Sequence, residues 1–389
     1  MTCTLHRCKL KQGFKKMKKT ILHIIDNLGR GGAETMLVTV VKQLSAYNNI
    51  IVTLYPENEF GDVAGCDKFY CLNMRSKLMA PLAALQLRKI IKKNNVSIVH
   101  SHLFWSTVLA RMGTPKNVSL VTTIHAFVAS SIEYQPWRMR VMEKLTYKIR
   151  KGTIVAVAKG ALEEYFTLIN IKPHNAYHLY TFVDTAVFKE PVVVNKPTSK
   201  TFRLVSVGNL KEQKNHRFLL EAFKGLKDEN ISLDIYGKGP LQKELQQTID
   251  QYNLKVTLKG QAKNIEEQIG QYDLFVMSSL YEGFALSVLE AMALGMPMLL
   301  ADIVSFKEQC RDTAAYFRLN DTKDFTKQLF ELKNNPLQLQ SLSIACKQRV
   351  LKNYTLQKHM DGLTTIYKDA LSEMQPYTAT GCQTFVSTF

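Results

Sequence analysis

The chain has 389 residues, 46% of them apolar and 22% charged, which is more than one hydrophobic core ordinarily serves and argues for two globular domains. These proportions exclude disordered, collagen-like and membrane-bundle classes. The formal net charge of +18 points instead to a polyanionic partner.

Seven of the first 19 residues are Lys or Arg, with no acid among them. No apolar stretch follows, so this is not a signal peptide. Met17 reads as a natural start, and residues 1–16 are expected to be a flexible extension. From Thr20 short apolar runs alternate with amphipathic stretches. Strands are expected at Ile21–Asp26, Ile50–Tyr55, Val96–Val99, Leu120–Ile124 and Ile154–Val157. Helices are expected at Ala33–Leu44, Pro81–Lys93 and Trp137–Arg150. A Pro- and Val-rich connection covers 190–200. The alternation then restarts with strands at Phe202–Val207, Ser232–Tyr236, Lys255–Leu258, Leu274–Met277 and Met298–Ala301. Such alternation builds parallel sheets covered on both faces. The fold class is therefore α/β, with two Rossmann-like doubly wound domains, 17–188 and 200–355, facing each other across a cleft. A last helix, 356–374, is expected to pack back toward the first domain, ahead of a flexible tail, 375–389.

No run of about 18 apolar residues is present to span a bilayer. The seven cysteines show neither CxxC nor zinc-type spacing, and reduced thiols in the cytosol are the simplest account. The charge is lopsided. Residues 1–185 hold 26 basic against 11 acidic side chains, whereas the rest holds 25 against 22. The first half should therefore meet an anionic membrane or a nucleic acid, unless it is only a solvated basic face. The basic stretches 75–93 and 138–151 lack interleaved stacking aromatics or a reading motif, which disfavours nucleic acid. The apolar-studded segment Trp137–Lys151 suits a membrane surface better.

Chemistry concentrates in Ser278–Pro297, SSLYEGFALSVLEAMALGMP. A loop follows a buried strand and enters a helix around Phe284, which Gly295 and Pro297 end. Glu282 lies before this helix and Glu290 within it. Between them, the first-turn amides of Phe284, Ala285 and Leu286 suit phosphate oxygens. A nucleoside diphosphate sugar fits that layout, with Glu290 on the ribose and Glu282 on the sugar. The plainer alternative makes Glu282 a helix cap and Glu290 part of a solvated face.

EGFALSVLEAMALGMP resembles the E-x7-E signature of the retaining family 4 glycosyltransferases, in the type that builds bacterial surface polysaccharides. DNLGRGGAE, VTTIHAF, VSVGNLKEQKN and YGKGPLQKEL resemble that family's glycine-rich loop, histidine segment, donor-phosphate segment and Gly-x-Gly-Pro turn, in order. The resemblance implies the GT-B fold, with an acceptor-side first domain and a nucleotide-sugar-binding second domain. It places His125 and Glu282 at the reaction centre. Gly31, Gly32, Asn209, Lys214, Phe284, Ala285, Leu286 and Glu290 are then donor contacts. The family usually carries arginine where this chain has Asn209, so the leaving diphosphate falls to Lys214, with Lys211, or the donor is held less tightly. Base contacts are expected around 260–264, largely from backbone. His100 and His102 have the spacing of a metal pair, but no third ligand stands near them in sequence, and they read as cleft or core residues.

No Asp-x-Asp occurs anywhere, so no metal or other cofactor is expected, and the diphosphate must meet Lys214, helix amides and the glycine-rich loop. The expected partners are the nucleotide sugar, a saccharide or lipid-linked saccharide acceptor and an anionic membrane surface, with no nucleic acid. The expected location is cytoplasmic, on the inner face of the cell membrane. A sugar-nucleotide epimerase of the same fold and a nucleic-acid-binding protein are the rival readings.

Overall fold

The computed structural model describes residues 18–373 apart from 30, 130, 189–200, 228 and 263. The extension 1–16, the connection 190–200 and the tail 375–389 lie outside the described residues.

Two all-parallel sheets organise the chain. The first contains β1 (Thr20–Ile25), β2 (Asn48–Thr53), β3 (Lys68–Cys71), β4 (Val96–His102), β5 (Ser119–Ile124), β6 (Thr153–Ala156) and β7 (Asn175–His178). Its order is β3-β2-β1-β4-β5-β6-β7. The helices between these strands are α1 (Gly32–Gln43), α2 (Ala80–Lys93), α3 (Phe104–Gly113), α4 (Trp137–Ile149) and α5 (Lys159–Ile169). The second sheet contains β8 (Phe202–Val207), β9 (Ile231–Tyr236), β10 (Val256–Gly260), β11 (Leu274–Met277), β12 (Met298–Ala301) and β13 (Ala315–Phe317), in the order β10-β9-β8-β11-β12-β13. Its helices are α6 (His216–Lys224), α7 (Gln242–Tyr252), α8 (Ile265–Ile269), α9 (Leu286–Ala293), α10 (Val304–Cys310), α11 (Thr322–Lys333) and α12 (Pro336–Asn353). The same strand order thus occurs twice, with the direction of winding reversing between β1 and β4 and between β8 and β11. Two doubly wound α/β units are the expected fold class, and open sheets of this order bind ligands at the carboxyl ends of the strands flanking the reversal.

The final helix, α13 (Leu356–Ser372), lies on the first sheet, against β4 and β5. Ser119 donates to the Ala370 carbonyl at 2.6 Å, and Ile366, Tyr367 and Ala370 share a core with Ile21, Ile98 and Val121. The chain re-enters this unit where the Val183 amide bonds the Tyr354 carbonyl at 2.9 Å. One face of the first sheet is therefore covered by α1 together with the returning helix α13.

Differences in element ends carry physical reasons. β4 runs three residues past the expected Val99, because His100 and His102 are buried and the ladder to β1 continues beside them. The helix expected around Phe284 starts at Leu286, because Ala285 is extended, at φ −69° and ψ 116°. Gly295 closes that helix in the left-handed region, at φ +68°, as a glycine there should. Among the described residues Cys66, Cys71, Cys310 and Cys346 are free thiols.

Candidate active site

The loops leaving β8 and β11 are stitched together before they meet any ligand. The Leu280 amide donates to the Gln213 carbonyl at 2.8 Å, and Ser278 Oγ donates to the Asn215 carbonyl at 2.9 Å. Gly237 lets the next loop close in. It sits at φ +148°, and a side chain there would strike the Gly208 carbonyl. Within this frame Lys214 Nζ reaches Glu282 Oε1 at 2.5 Å. Ser279 Oγ donates to the same carboxylate at 2.7 Å, and Gln213 Nε2 to its other oxygen at 3.4 Å. Glu282 is 6% exposed and makes no cap to α9, whose N-cap has no side-chain bond. The helix-cap alternative is thereby excluded. Asn209 is half-buried on the same β8 loop.

Glu290 lies half-buried on the second turn of α9. Burial, with Glu266 nearby, pushes its carboxyl up to about 7. That is not the behaviour of a solvated helix face. The α9 amides are less open than the sequence suggests. Gln309 clamps Ala285 from both sides, accepting from its amide at 3.1 Å and donating to its carbonyl at 2.9 Å. Phe284 packs against Tyr180 and Tyr354 at 5.2 and 5.1 Å between ring centres. Leu286 and Ser287 remain as first-turn amides without an intrahelical carbonyl to bond. In the stretch 260–264, Gly260 takes φ +70° with open space where a side chain would stand, and Lys263 lies outside the described residues.

The first unit contributes two segments. Gly31 is the N-cap residue of α1. A side chain there would strike the Glu34 carboxylate, which folds back over the helix end. Gly32 is the open position, with nothing near its missing Cβ. Asp26 follows β1 and accepts from the Ser106 amide at 3.0 Å and its hydroxyl at 2.6 Å. Burial raises the carboxyls of Asp26 and Glu34; Glu133 raises Asp26 further, and Asp26 raises Glu34, which Lys211 from the facing unit lowers. This lip is acidic although the unit as a whole is basic. Across the cleft the β8 loop carries the cations Lys211 and Lys214.

His125 stands just past β5, half-buried. Gly283 is pressed so close that a Cβ on it would overlap the His125 carbonyl. Only glycine permits this approach, and it brings the backbone beside Glu282 onto His125 across the cleft. A second tie runs through Glu308 of α10. Its two oxygens accept from the Lys159 and Gly160 amides at 2.6 and 2.9 Å, at the N-terminus of α5.

The structure supplies what the spacing of His100 and His102 lacked. His23, on the neighbouring β1, brings a third imidazole, and one nitrogen from each of the three lies within 4.8 Å of the others. His100, however, spends both nitrogens, on Tyr367 Oη and Thr123 Oγ1, each at 2.7 Å. The trio therefore has only two imidazoles with free nitrogens, which is short of a ready metal tripod. Burial pulls the His23 and His125 rings down to about 3 and His100 and His102 well below the usual value. All four rings are neutral at pH 7. Sequence reasoning missed Gln213, Ser279, Gly283, Glu308 and Gln309. Only Gly283, inside the Glu-Gly-Phe of the motif, carried a local signal.

Residues 30–187 match the family described as Glycosyltransferase Family 4, and residues 189–349 match Glycosyl transferases group 1. The putative glycosyltransferase EpsF of Bacillus subtilis (strain 168) is 25% identical over 75% of this chain and 81% of its own length. The UDP-Gal:alpha-D-GlcNAc-diphosphoundecaprenol alpha-1,3-galactosyltransferase of Escherichia coli is 26% identical over 73% of this chain and 78% of its own. Among solved structures, Anabaena Alr3699/HepE in complex with UDP and glucose superposes with a TM-score of 0.79 at 14% identity, over 90% of this chain and 99% of that one.

Proposed function

Because this chain belongs to the family 4 glycosyltransferases of the GT-B type, we propose that it moves a sugar from a nucleoside diphosphate sugar onto a lipid-linked saccharide, with retention of anomeric configuration and no metal ion on the diphosphate. The observation that carries this reading is the Lys214–Glu282 pair at 2.5 Å, built on the loops at the β8/β11 reversal and one residue from the backbone contact with His125. Lys214, with the Leu286 and Ser287 amides, neutralises the leaving diphosphate. Glu290 accepts from the ribose hydroxyls. Glu282 holds the sugar hydroxyls as the bond from C1 to the phosphate oxygen lengthens. The acceptor hydroxyl attacks C1 on the same face through an oxocarbenium-like state, and its proton passes to the departing phosphate oxygen. The carboxylate pairing of glycoside hydrolases is not needed. With no Asp-x-Asp in the chain, lysine and amide charge take the place that a divalent metal would have.

The acceptor belongs at a membrane surface. No helix of the described residues is long and apolar enough to cross a membrane. On α4, however, Trp137, Val141, Leu145 and Ile149 recur every four residues and stand exposed, at 66, 42, 54 and 77%. Arg138, Arg140, Lys144 and Lys148 flank this stripe. Apolar side chains pointing outward among cations suit an anionic bilayer interface on the cytoplasmic side.

UDP-sugars are the first donors to try, since the Anabaena protein holds UDP and glucose and the E. coli relative is named for UDP-Gal. The test is a panel of UDP-, GDP- and ADP-sugars, scored for thermal protection and for transfer to a diphosphate-linked lipid saccharide. One nucleotide series should protect and support transfer, and adding magnesium or manganese after chelation should leave the rate unchanged. A product of inverted configuration, rates that require added magnesium or manganese, or epimerised donor formed without acceptor would each overturn part of this reading.

A further inference from the structure

His125 touches one buried partner. Its Nε2 lies 3.1 Å from His102 Nδ1, with the two ring centres 5.3 Å apart. Both rings are neutral, so a single proton is shared in this contact, and each ring carries its one N–H on one nitrogen only. The other nitrogen of His102 decides who owns that proton. His102 Nε2 is fully buried and has no hydrogen-bond partner among the described residues. Were His125 the donor, His102 would have to carry its own N–H on this Nε2, stranding a buried donor away from any acceptor. Buried donors without acceptors are the rarest and most costly polar defects. A bare lone pair at the same place leaves only an underused acceptor.

We infer that His102 is the positioning residue of the reaction centre: it donates Nδ1–H to His125 Nε2 and so fixes His125 as the Nδ1–H tautomer, a hydrogen-bond donor to a sugar oxygen and not a base. The inference rests on the proposed place of His125 beside the donor sugar. Its geometry is well supported from behind. His102 sits on β4 between two other imidazoles, with ring centres 4.2 Å from His100 and 5.9 Å from His23. His100 is in turn pinned by Thr123 of β5 and by Tyr367 of α13. The ring that orients His125 is thus wedged by three strands and the returning C-terminal helix. A hydrogen-bond donor on His125 also fits the proposed chemistry, in which the leaving phosphate takes the acceptor's proton and no side-chain base is required.

The experiment uses the full chain labelled with 15N-histidine. Long-range nitrogen–proton correlations distinguish a protonated Nδ1 from a protonated Nε2, and the His125→Gln variant assigns the signal. The expected parent spectrum has His125 protonated at Nδ1. His102→Leu removes the donor and should convert His125 to a mixture of tautomers, with kcat about 10-fold lower and donor KM within twofold. His102→Asn places an amide N–H where Nδ1 stood, and should restore both the tautomer and most of kcat. A parent His125 protonated at Nε2, or a tautomer that His102→Leu leaves unchanged, overturns the inference. If His102→Leu does not fold, the parent spectrum and the Asn variant still decide it. A shifted tautomer with unchanged kcat would confirm the positioning by His102 and overturn the placing of His125 at the reaction centre.

Discussion

Two buried carboxylates in this chain each hold a cation, and they differ in what else can reach them. Glu143 and Arg111 are 0 and 1% exposed at 2.9 Å, and they join α3 to α4. Tyr165 of α5 donates to Glu143 and is itself bonded by Arg111 Nη2, while Arg111 Nη1 also reaches the Glu143 carbonyl and Thr146 Oγ1. The planar guanidinium fork is almost wholly spent inside helices. The side chains of Glu282 and Lys214 are 7 and 16% exposed, and both residues stand on loops at the ends of strands. A lysine ammonium is a point charge with three rotatable donors, so it can share itself between a carboxylate and an arriving phosphate. The same attraction therefore makes a fastener where helices enclose both partners, and a site where the frame leaves one side open.

The largest effect should come from breaking the closed pair. Arg111→Ala leaves Glu143 buried without its counter-charge and should cost about 3–5 kcal/mol, lowering the melting midpoint by roughly 10 °C in calorimetry. Transfer per folded molecule should stay at the parent value. Replacing both partners, as Arg111→Met with Glu143→Leu, should recover most of the loss. A single variant that melts with the parent would mean that the pair fastens nothing.

What the fastener holds outward is the basic, apolar face of α4. Converting Arg138, Arg140, Lys144 and Lys148 to Gln should weaken sedimentation with anionic vesicles by more than about 100-fold at low salt, taking about 1 kcal/mol per charge. The parent should release as salt rises. Equal binding by both proteins would reduce this face to a solvated surface.

Opening the second pair should do the reverse of opening the first. Glu282→Gln is expected to keep the melting midpoint within a few degrees and nucleoside diphosphate binding nearly intact, while kcat falls about 100-fold. Steady-state kinetics beside a nucleotide titration decide it. Loss of nucleotide binding in this variant would place the diphosphate on the wrong side of Glu282.

Glu290 sharpens the comparison from a third position, half-buried and with no cation paired to it among the described residues. Its carboxyl rises from 4.5 to about 7, so between those values the folded protein binds more protons than the unfolded chain. Its contribution to stability is therefore present at low pH and lost as pH rises through 7. Ribose hydroxyls need the ionised acceptor, so nucleoside diphosphate affinity should increase from pH 6 to pH 8. Glu290→Gln should flatten both profiles and raise donor KM about 10-fold. A pH-independent parent titration would remove Glu290 from the ribose.

The E-x7-E segment, the glycine turns and the lysine after β8 were legible in the sequence because each is a contiguous piece of chain whose chemistry is local. The alternation of apolar runs with 3.6-residue periodicity is local in the same sense, and it was enough for two doubly wound sheets. Local signals failed wherever the meaning of a residue depends on a neighbour far along the chain. His-Ser-His reads as the end of a strand until β1 lies beside β4 and His23 joins it. Ala285 reads as a free helix amide until Gln309, 24 residues later, closes on it. Strand order alone sets His102 against His125, because β4 and β5 are adjacent in the sheet. Only the packing of one unit against the other sets Gly283 on the His125 carbonyl. Periodicity determines which faces of the chain are buried; which buried faces meet is decided by the one arrangement that satisfies their polar groups together.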